Sequence, residues 1–216
     1  MTELTKILIV ANGQIEDSDW LSGECENADT VIAVDGGSMS LRQVDCIPDI
    51  YFGDSDSVTD LTKRWLVNNS VKMNLYGKDK DETDLELALL DTAIEGQSIR
   101  IAAGFGGRVD HELGNIFLLQ HPDLVGADIC LVSPTQQVRI VEGLWNWEGQ
   151  AGDLVSVIPI EKSCLVKTTS GLKWPLENEI LELGKPRGIS NIMTESRAHI
   201  DIESGSVIWI HTSEAE

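Results

Sequence analysis

SIRIAAGFGGRVDHELGN, residues 98–115, changes texture twice in eighteen positions. The apolar run Ser98–Ala103 has strand length. Gly104, Gly106 and Gly107 then open a turn, with Arg108 beside them, and a helix begins with Asp110 placed to cap it. A strand that runs through a glycine turn into a helix is half of a parallel βα unit, with ligands expected at the carboxyl end of the strand. Exposed N–H groups at such a turn and helix start form an anion cradle, and a guanidinium adds a planar fork for phosphate oxygens. The spacing is neither G-x-x-x-x-G-K-[ST] nor a complete G-x-G-x-x-G, because Val109 holds the third glycine position. His111 shares a face with Gly114, Asn115 and Leu118, where it serves either as a polar contact under the loop or as a structural histidine.

Upstream, KILIVA (6–11), TVIAV (30–34) and PDIYFG (48–53) are further strand-sized runs, and DICLV (128–132) follows downstream. Between them, TDLELALLDTAIEG places Leu85, Ala88, Leu89, Thr92 and Ala93 on a helical stripe that Gly96 is suited to stop. Strand alternating with helix predicts a mostly parallel sheet with flanking helices over residues 1–134, an α/β nucleotide-binding catalytic domain. After Ser133 and Pro134 helical stripes give way to short β-like runs such as QVRIVEG, DLVSVIPI, AHIDIESG and SVIWIHT. Residues 135–216 are expected to form an all-β, sandwich-like domain.

With 216 residues and a mean hydropathy of −0.06, the chain has the composition of an ordinary globular protein. No apolar run approaches the roughly 18 residues of a membrane span. ILIV (7–10) lacks the flanks of a signal peptide, so a cytoplasmic protein is expected. Cys25, Cys46, Cys130 and Cys164 are scattered, which indicates neither a zinc site nor a disulfide framework. A formal charge of −20 argues against a nucleic-acid partner. Two thirds of the 36 acidic residues precede Thr135, so the acid is concentrated in the α/β part.

Those acids are not evenly spread. In YFGDSDSVTD (51–60), Asp54 and Asp56 stand two apart behind a glycine. Two carboxylates ~4 Å apart at an effective dielectric near 20 repel by about 4 kcal/mol, and a cation between them reverses the sign. In VDGGS (34–38), Asp35 ends a strand, and Gly36 and Gly37 let backbone approach a ligand closely. In GKDKDETDLELAL (77–89), Asp81 and Asp84 are three apart at a helix start, where Asp81 or Thr83 is the N-cap, and Lys78 and Lys80 interleave with the acids. A parallel sheet would bring these strand ends to one edge. Carboxylate and phosphate oxygens are the hard ligands that Mg2+ prefers, so metal-assisted phosphoryl or pyrophosphoryl transfer is the expected chemistry.

Taken in order, the motifs D-G-G, P-D-x-x-x-G-D-x-D-S, K-D-x-T-D-x-E-x-A-L and G-G-R-x-D-H-x-x-x-N resemble those of the thiamine pyrophosphokinase family. TTSGLKWPL (168–176) and GISN (188–191) continue the resemblance through the second half. It implies transfer of a pyrophosphoryl group from ATP to the thiamine hydroxyl, giving thiamine diphosphate and AMP, with Mg2+ as cofactor. It also implies a homodimer with active sites at the subunit interface, and a β-rich thiamine-binding domain over 135–216. Asp54, Asp56, Asp81, Asp84 and Asp110 match its acidic catalytic positions, with Asp54, Asp56 and Asp81 assigned to metal and Asp56 or Asp84 to orienting the hydroxyl. Asp35, Gly36, Gly37, Lys80, Thr83, Gly106, Gly107, Arg108, His111 and Asn115 fall on the nucleotide side, and Trp174, Ser190 and Asn191 on the thiamine side. Two positions depart from the pattern: Ser55 replaces a bulky apolar residue, and SNIMTES (190–196) lacks an acid just after Ser-Asn.

Two rival readings remain open. One is a pyrophosphokinase for another hydroxymethyl compound such as a pterin, against which GLKWPL and GISN speak. The other is a domain that binds Mg2+ or nucleotide without turnover. A phospho-receiver would carry acids right after the first strand, where this chain has Asn12 and Gly13.

Overall fold

The computed structural model of the chain describes residues 4–54, 58–77, 80–93, 96–124 and 126–213. The chain divides into two compact units, Met1–Pro134 and Thr135–Glu216. In the first, strands β1 (Thr5–Val10), β2 (Thr30–Val34), β3 (Ile50–Gly53), β4 (Lys72–Leu75), β5 (Gln97–Ala102) and β6 (Asp128–Val132) alternate with helices. The helices are α1 (Ser18–Glu26), α2 (Gly37–Gln43), α3 (Asp60–Asn68), α4 (Asp84–Thr92) and α5 (Val109–Leu118). The strand order is β6-β5-β1-β2-β3-β4, with parallel pairing throughout.

Burial follows from that layering. Ile7 to Val10 are all buried because both faces of β1 are covered, and such strands read as continuous apolar runs. Leu8, Val10, Leu21, Ala33, Leu41, Tyr51 and Leu66 belong to one core cluster that joins the sheet to α1, α2 and α3. The edge strand β4, KMNL, buries none of its residues, and so shows neither an apolar run nor an alternation that a reading of the sequence could detect. Helix α4 is shorter than its stripe predicts: it ends at Thr92, whose hydroxyl donates to Ala88 O (2.5 Å), and Ala93 is already extended. Thr83, not Asp81, is its N-cap, in a capping box with Glu86.

From β1 the chain steps outward through β2, β3 and β4, then returns to lay β5 on the other side of β1. That reversal makes the crevice beyond the carboxyl ends of β1 and β5 the place where an open parallel sheet binds ligands.

The second unit is antiparallel. Strands β7 (Gln136–Val141), β9 (Leu154–Pro159), β12 (Asn191–Ile192) and β14 (Val207–Thr212) pair in the order β12-β9-β14-β7. A second sheet orders β11 (Glu177–Glu182), β10 (Ser163–Ser170), β13 (Arg197–Ser204) and β8 (Leu144–Glu148) as β11-β10-β13-β8. Alternate residues of β13 turn inward, and Ala198, Ile200 and Ile202 join Trp147, Val157, Cys164, Val166 and Trp209 in a core drawn from both sheets. The expected sandwich is therefore present, with β8 and β12 added to the strands legible in sequence.

Candidate active site

Each unit carries a cavity, and each is built by a few short segments. In the first unit a cleft of about 630 Å³ opens at the β1/β5 crevice. Gly13, which lines it, has no room for a side chain, since a Cβ there would stand 2.3 Å from Ala103 O; Gly36 and Gly37 do not line it, although Gly37 is as tightly placed, its Cβ position 2.0 Å from Val10 O. Asp35, Thr83, Asp84, Gly106, Gly107, Arg108, His111 and Asn115 line it, which unites expectations drawn from three separate loops. Asn12, Gln14, Glu82 and Glu112 line it too and were not foreseen. Asn12 and Gln14 sit just after β1, so strand-end position alone could have found them. Nothing in the sequence marked Glu112.

Asp35 is held in the left-handed region (φ 47°), and its main chain is fixed on both sides: its N–H donates to Phe52 O (2.9 Å), and its carbonyl accepts from Ser38 Oγ (2.7 Å). Its carboxyl pKa is pushed up to about 7, first by burial, then by a hydrogen bond with Asp84 and by the charges of Asp84 and Asp54; Lys80 opposes the rise. Asp35 Oδ1 is buried and has no hydrogen-bond partner among the described residues. The Lys80 ammonium bonds Asp84 and lies 5.0 Å from the Tyr76 ring centroid. Three acids from the ends of β2 and β3 and the start of α4 are thus electrostatically coupled beside one lysine.

Asp81 is exposed and does not line the cleft. Asp56 lies outside the described residues. Among the described residues no group of three or more acids, histidines or cysteines is already arranged around a metal position.

The glycine turn after β5 is braced by α5. Asn115 Nδ2 donates to Gly104 O (3.0 Å), and Gly106 N and Gly107 N both donate to Glu112 Oε1 (3.0 and 2.8 Å). Asp110 does not cap the helix: the N-cap is Arg108, and Asp110 instead takes a two-pronged ion pair from its guanidinium (3.1 and 2.5 Å). That hydrogen bond holds the Asp110 carboxyl below its usual range.

In the second unit a pocket of about 230 Å³ is lined by Trp147, Leu172, Trp174, Arg187, Ile189 and Asn191 among others. Trp174 is 49% exposed, and its ring carries the Lys173 ammonium 4.8 Å from the centroid. Asn191 clasps the tryptophan main chain, Oδ1 accepting from Trp174 N (3.0 Å) and Nδ2 donating to Trp174 O (2.6 Å). Its amide therefore positions Trp174. Ser190 is held at φ 58° with its N–H donating to Ser156 Oγ (3.0 Å), and does not line the pocket, whereas its neighbours Gly188 and Ile189 do. Arg187, unforeseen, is paired with Glu179 (2.6 and 3.1 Å).

Comparison with known proteins gives the same two-part division. A family profile described as Thiamin pyrophosphokinase, catalytic domain, matches residues 21–131, and one described as Thiamin pyrophosphokinase, vitamin B1 binding domain, matches 146–207. A thiamine pyrophosphokinase of Bacillus subtilis is 33% identical over 212 residues, covering 96% of this chain and 99% of its own. The crystal structure of thiamine pyrophosphokinase from Bacillus subtilis superposes with a TM-score of 0.84 at 30% identity, over 97% of this chain and 100% of that one. Yeast thiamin pyrophosphokinase shares the fold, with a TM-score of 0.81 at 17% identity over 98% of this chain and 87% of its own.

Proposed function

The chain belongs to the thiamine pyrophosphokinase family, and we propose on that footing that it transfers the pyrophosphoryl group of ATP to the hydroxyl of thiamine, releasing AMP and thiamine diphosphate. The observation that carries the nucleotide half is the cleft at the β1/β5 crevice, which the glycine-turn anion cradle lines together with Asp35 and Asp84, with the charge of Asp54 acting on Asp35. Residues 1–134 are then the nucleotide-binding catalytic domain and 135–216 the thiamine-binding domain.

In the reaction the thiamine oxygen bonds to the β-phosphorus while the bond from that phosphorus to the α,β-bridging oxygen breaks, and AMP leaves with the electron pair. The hydroxyl proton passes to the carboxylate that orients the attacking oxygen, Asp84 or Asp56. Gly106, Gly107 and Arg108 receive the phosphate tail, with Asn115 holding the turn in place.

Mg2+ suits this donor set. Asp35 Oδ1 is buried with no partner among the described residues, and the Asp35 carboxyl is pressed toward its neutral form by burial and by like charges that a divalent cation would offset. Asp54, with Asp35 and Asp84, would hold the ion, and Asp56 is retained as a further candidate. Asp81 is the weakest of the three metal assignments, since its side chain is exposed. When bound, Mg2+ neutralises charge on the phosphate oxygens.

On the thiamine side, Trp174 offers a half-exposed indole face to a cationic heteroaromatic ring, an arrangement that contributes about 0.5–2 kcal/mol. A homodimer with active sites at the subunit interface is supported by α5, which buries none of its residues. Val109, Leu113 and Phe117, at i, i+4 and i+8, are 69%, 49% and 52% exposed along one apolar stripe. A second copy of the chain is the partner we assign to that stripe. Among the described residues no helix is long and apolar enough to cross a membrane, and a cytoplasmic enzyme accords with the four free cysteines.

Incubation with ATP, Mg2+ and thiamine should yield AMP and the diphosphate ester in equal amounts. AMP formed with a pterin alcohol but not with thiamine would replace the acceptor. Nucleotide binding without AMP under either condition would make the chain a binding domain.

A further inference from the structure

The Gly106–Gly107 turn already holds an anion, and that anion comes from the chain. Both N–H groups point at one oxygen of Glu112, at 3.0 and 2.8 Å. Two convergent backbone donors on one anionic oxygen are the contact that a phosphate oxygen would make in the same place.

The carboxylate is not there to neutralise a nearby cation. Arg108, next in sequence, gives its guanidinium to Asp110 in a two-pronged pair. The cleft that Glu112 lines also holds Asp35, Asp84 and Glu82, so its charge adds to an already acidic wall. Among the described residues, the hydrogen bonds of its carboxylate are to the two glycine N–H groups.

We propose that Glu112 is a resident stand-in for a phosphate oxygen: it occupies the Gly106–Gly107 cradle in the nucleotide-free enzyme, leaves it when the triphosphate enters, and thereby sets nucleotide affinity. The proposal rests on the nucleotide reading of the cleft. Before phosphate can bind the two N–H groups, the carboxylate must give them up, and once displaced it remains a like charge close to the incoming tail. Both effects weaken binding. In return, the exposed glycine turn keeps both N–H donors on an acceptor supplied by the chain, which fixes its shape while no nucleotide is bound.

The test uses the full chain and α,β-methylene-ATP with Mg2+, an analogue whose α,β bridge cannot break. Calorimetric titration is run on wild type, Glu112→Gln and Glu112→Ala, with circular dichroism confirming that each is folded. Gln keeps an acceptor for the turn but loses the charge, whereas Ala removes both. Displacement predicts tighter binding by both variants, by roughly tenfold for Ala. It also predicts that Ala lowers the melting temperature of the free enzyme while leaving that of the saturated complex close to wild type, so the analogue-induced shift grows. Equal or weaker binding by both variants, with wild type binding normally, overturns the displacement alone and makes Glu112 an ordinary loop brace. Failure of all three forms to bind the analogue overturns the nucleotide reading, and the displacement with it.

Discussion

Asp35 joins structure to pH more directly than any other side chain in the cleft. Its carboxyl holds a proton up to about pH 7, against an ordinary carboxylate value when the chain is unfolded. Folding therefore takes up a proton across the interval between those values. The sign follows from this linkage: stability of the metal-free protein is fullest below the interval and declines as pH rises through about 7. Asp35→Asn, which cannot ionise, should flatten the decline in urea midpoints measured with a chelator present. A wild-type profile that is already flat from about pH 5 to 8 would show that Asp35 is not held protonated.

At Asp54 the expectation is kinetic. Asp54→Asn should lower kcat at least ~100-fold with an unchanged circular dichroism spectrum, and near-native turnover would remove it from the mechanism. Trp174→Ala should raise the KM for thiamine about tenfold while sparing kcat, since stacking holds the substrate without touching the reacting atoms.

The elements show which physical signals reach the sequence. Buried parallel strands such as β1, β2 and β6 are legible because coverage on both faces demands unbroken apolar runs. Strand β4 is not, because an edge position asks little of its side chains, and β12 is two residues long. Among the site residues, Asp35, Thr83 and Arg108 could be located because glycine turns and helix starts have local signatures. Glu112 and Arg187 could not, because what makes them interesting is where their side chains return to across a turn. Helix α4 tests the local reading: Thr83→Ala removes the hydroxyl that accepts from Glu86 N (3.1 Å) and should cost about 1 kcal/mol in unfolding free energy. A loss below the error of denaturant titration would mean that tertiary packing alone holds the helix start.

For the whole molecule, a formal charge of −20 and a cleft rimmed by carboxylates make the approach of a polyanion unfavourable without a counter-ion. A chelator should abolish turnover and added Mg2+ should restore it, and activity that persists in metal-free buffer would remove the ion from the reaction. Assembly is tested through α5. Phe117→Asp places a charge on the exposed stripe and should convert a dimer to a monomer in sedimentation velocity with loss of activity, whereas a wild type that sediments as a monomer would remove the second copy from that face.

The exposed ring of Trp174 has an optical consequence. Of the six tryptophans it alone has a large solvent-facing area, the others being buried or half-buried, so its emission should be the component that iodide reaches. Thiamine seated on that indole would shield it from the quencher. The chain thus carries its own fluorophore at the vitamin pocket, and a titration followed by quenching should report occupancy without any label, vanishing in Trp174→Phe.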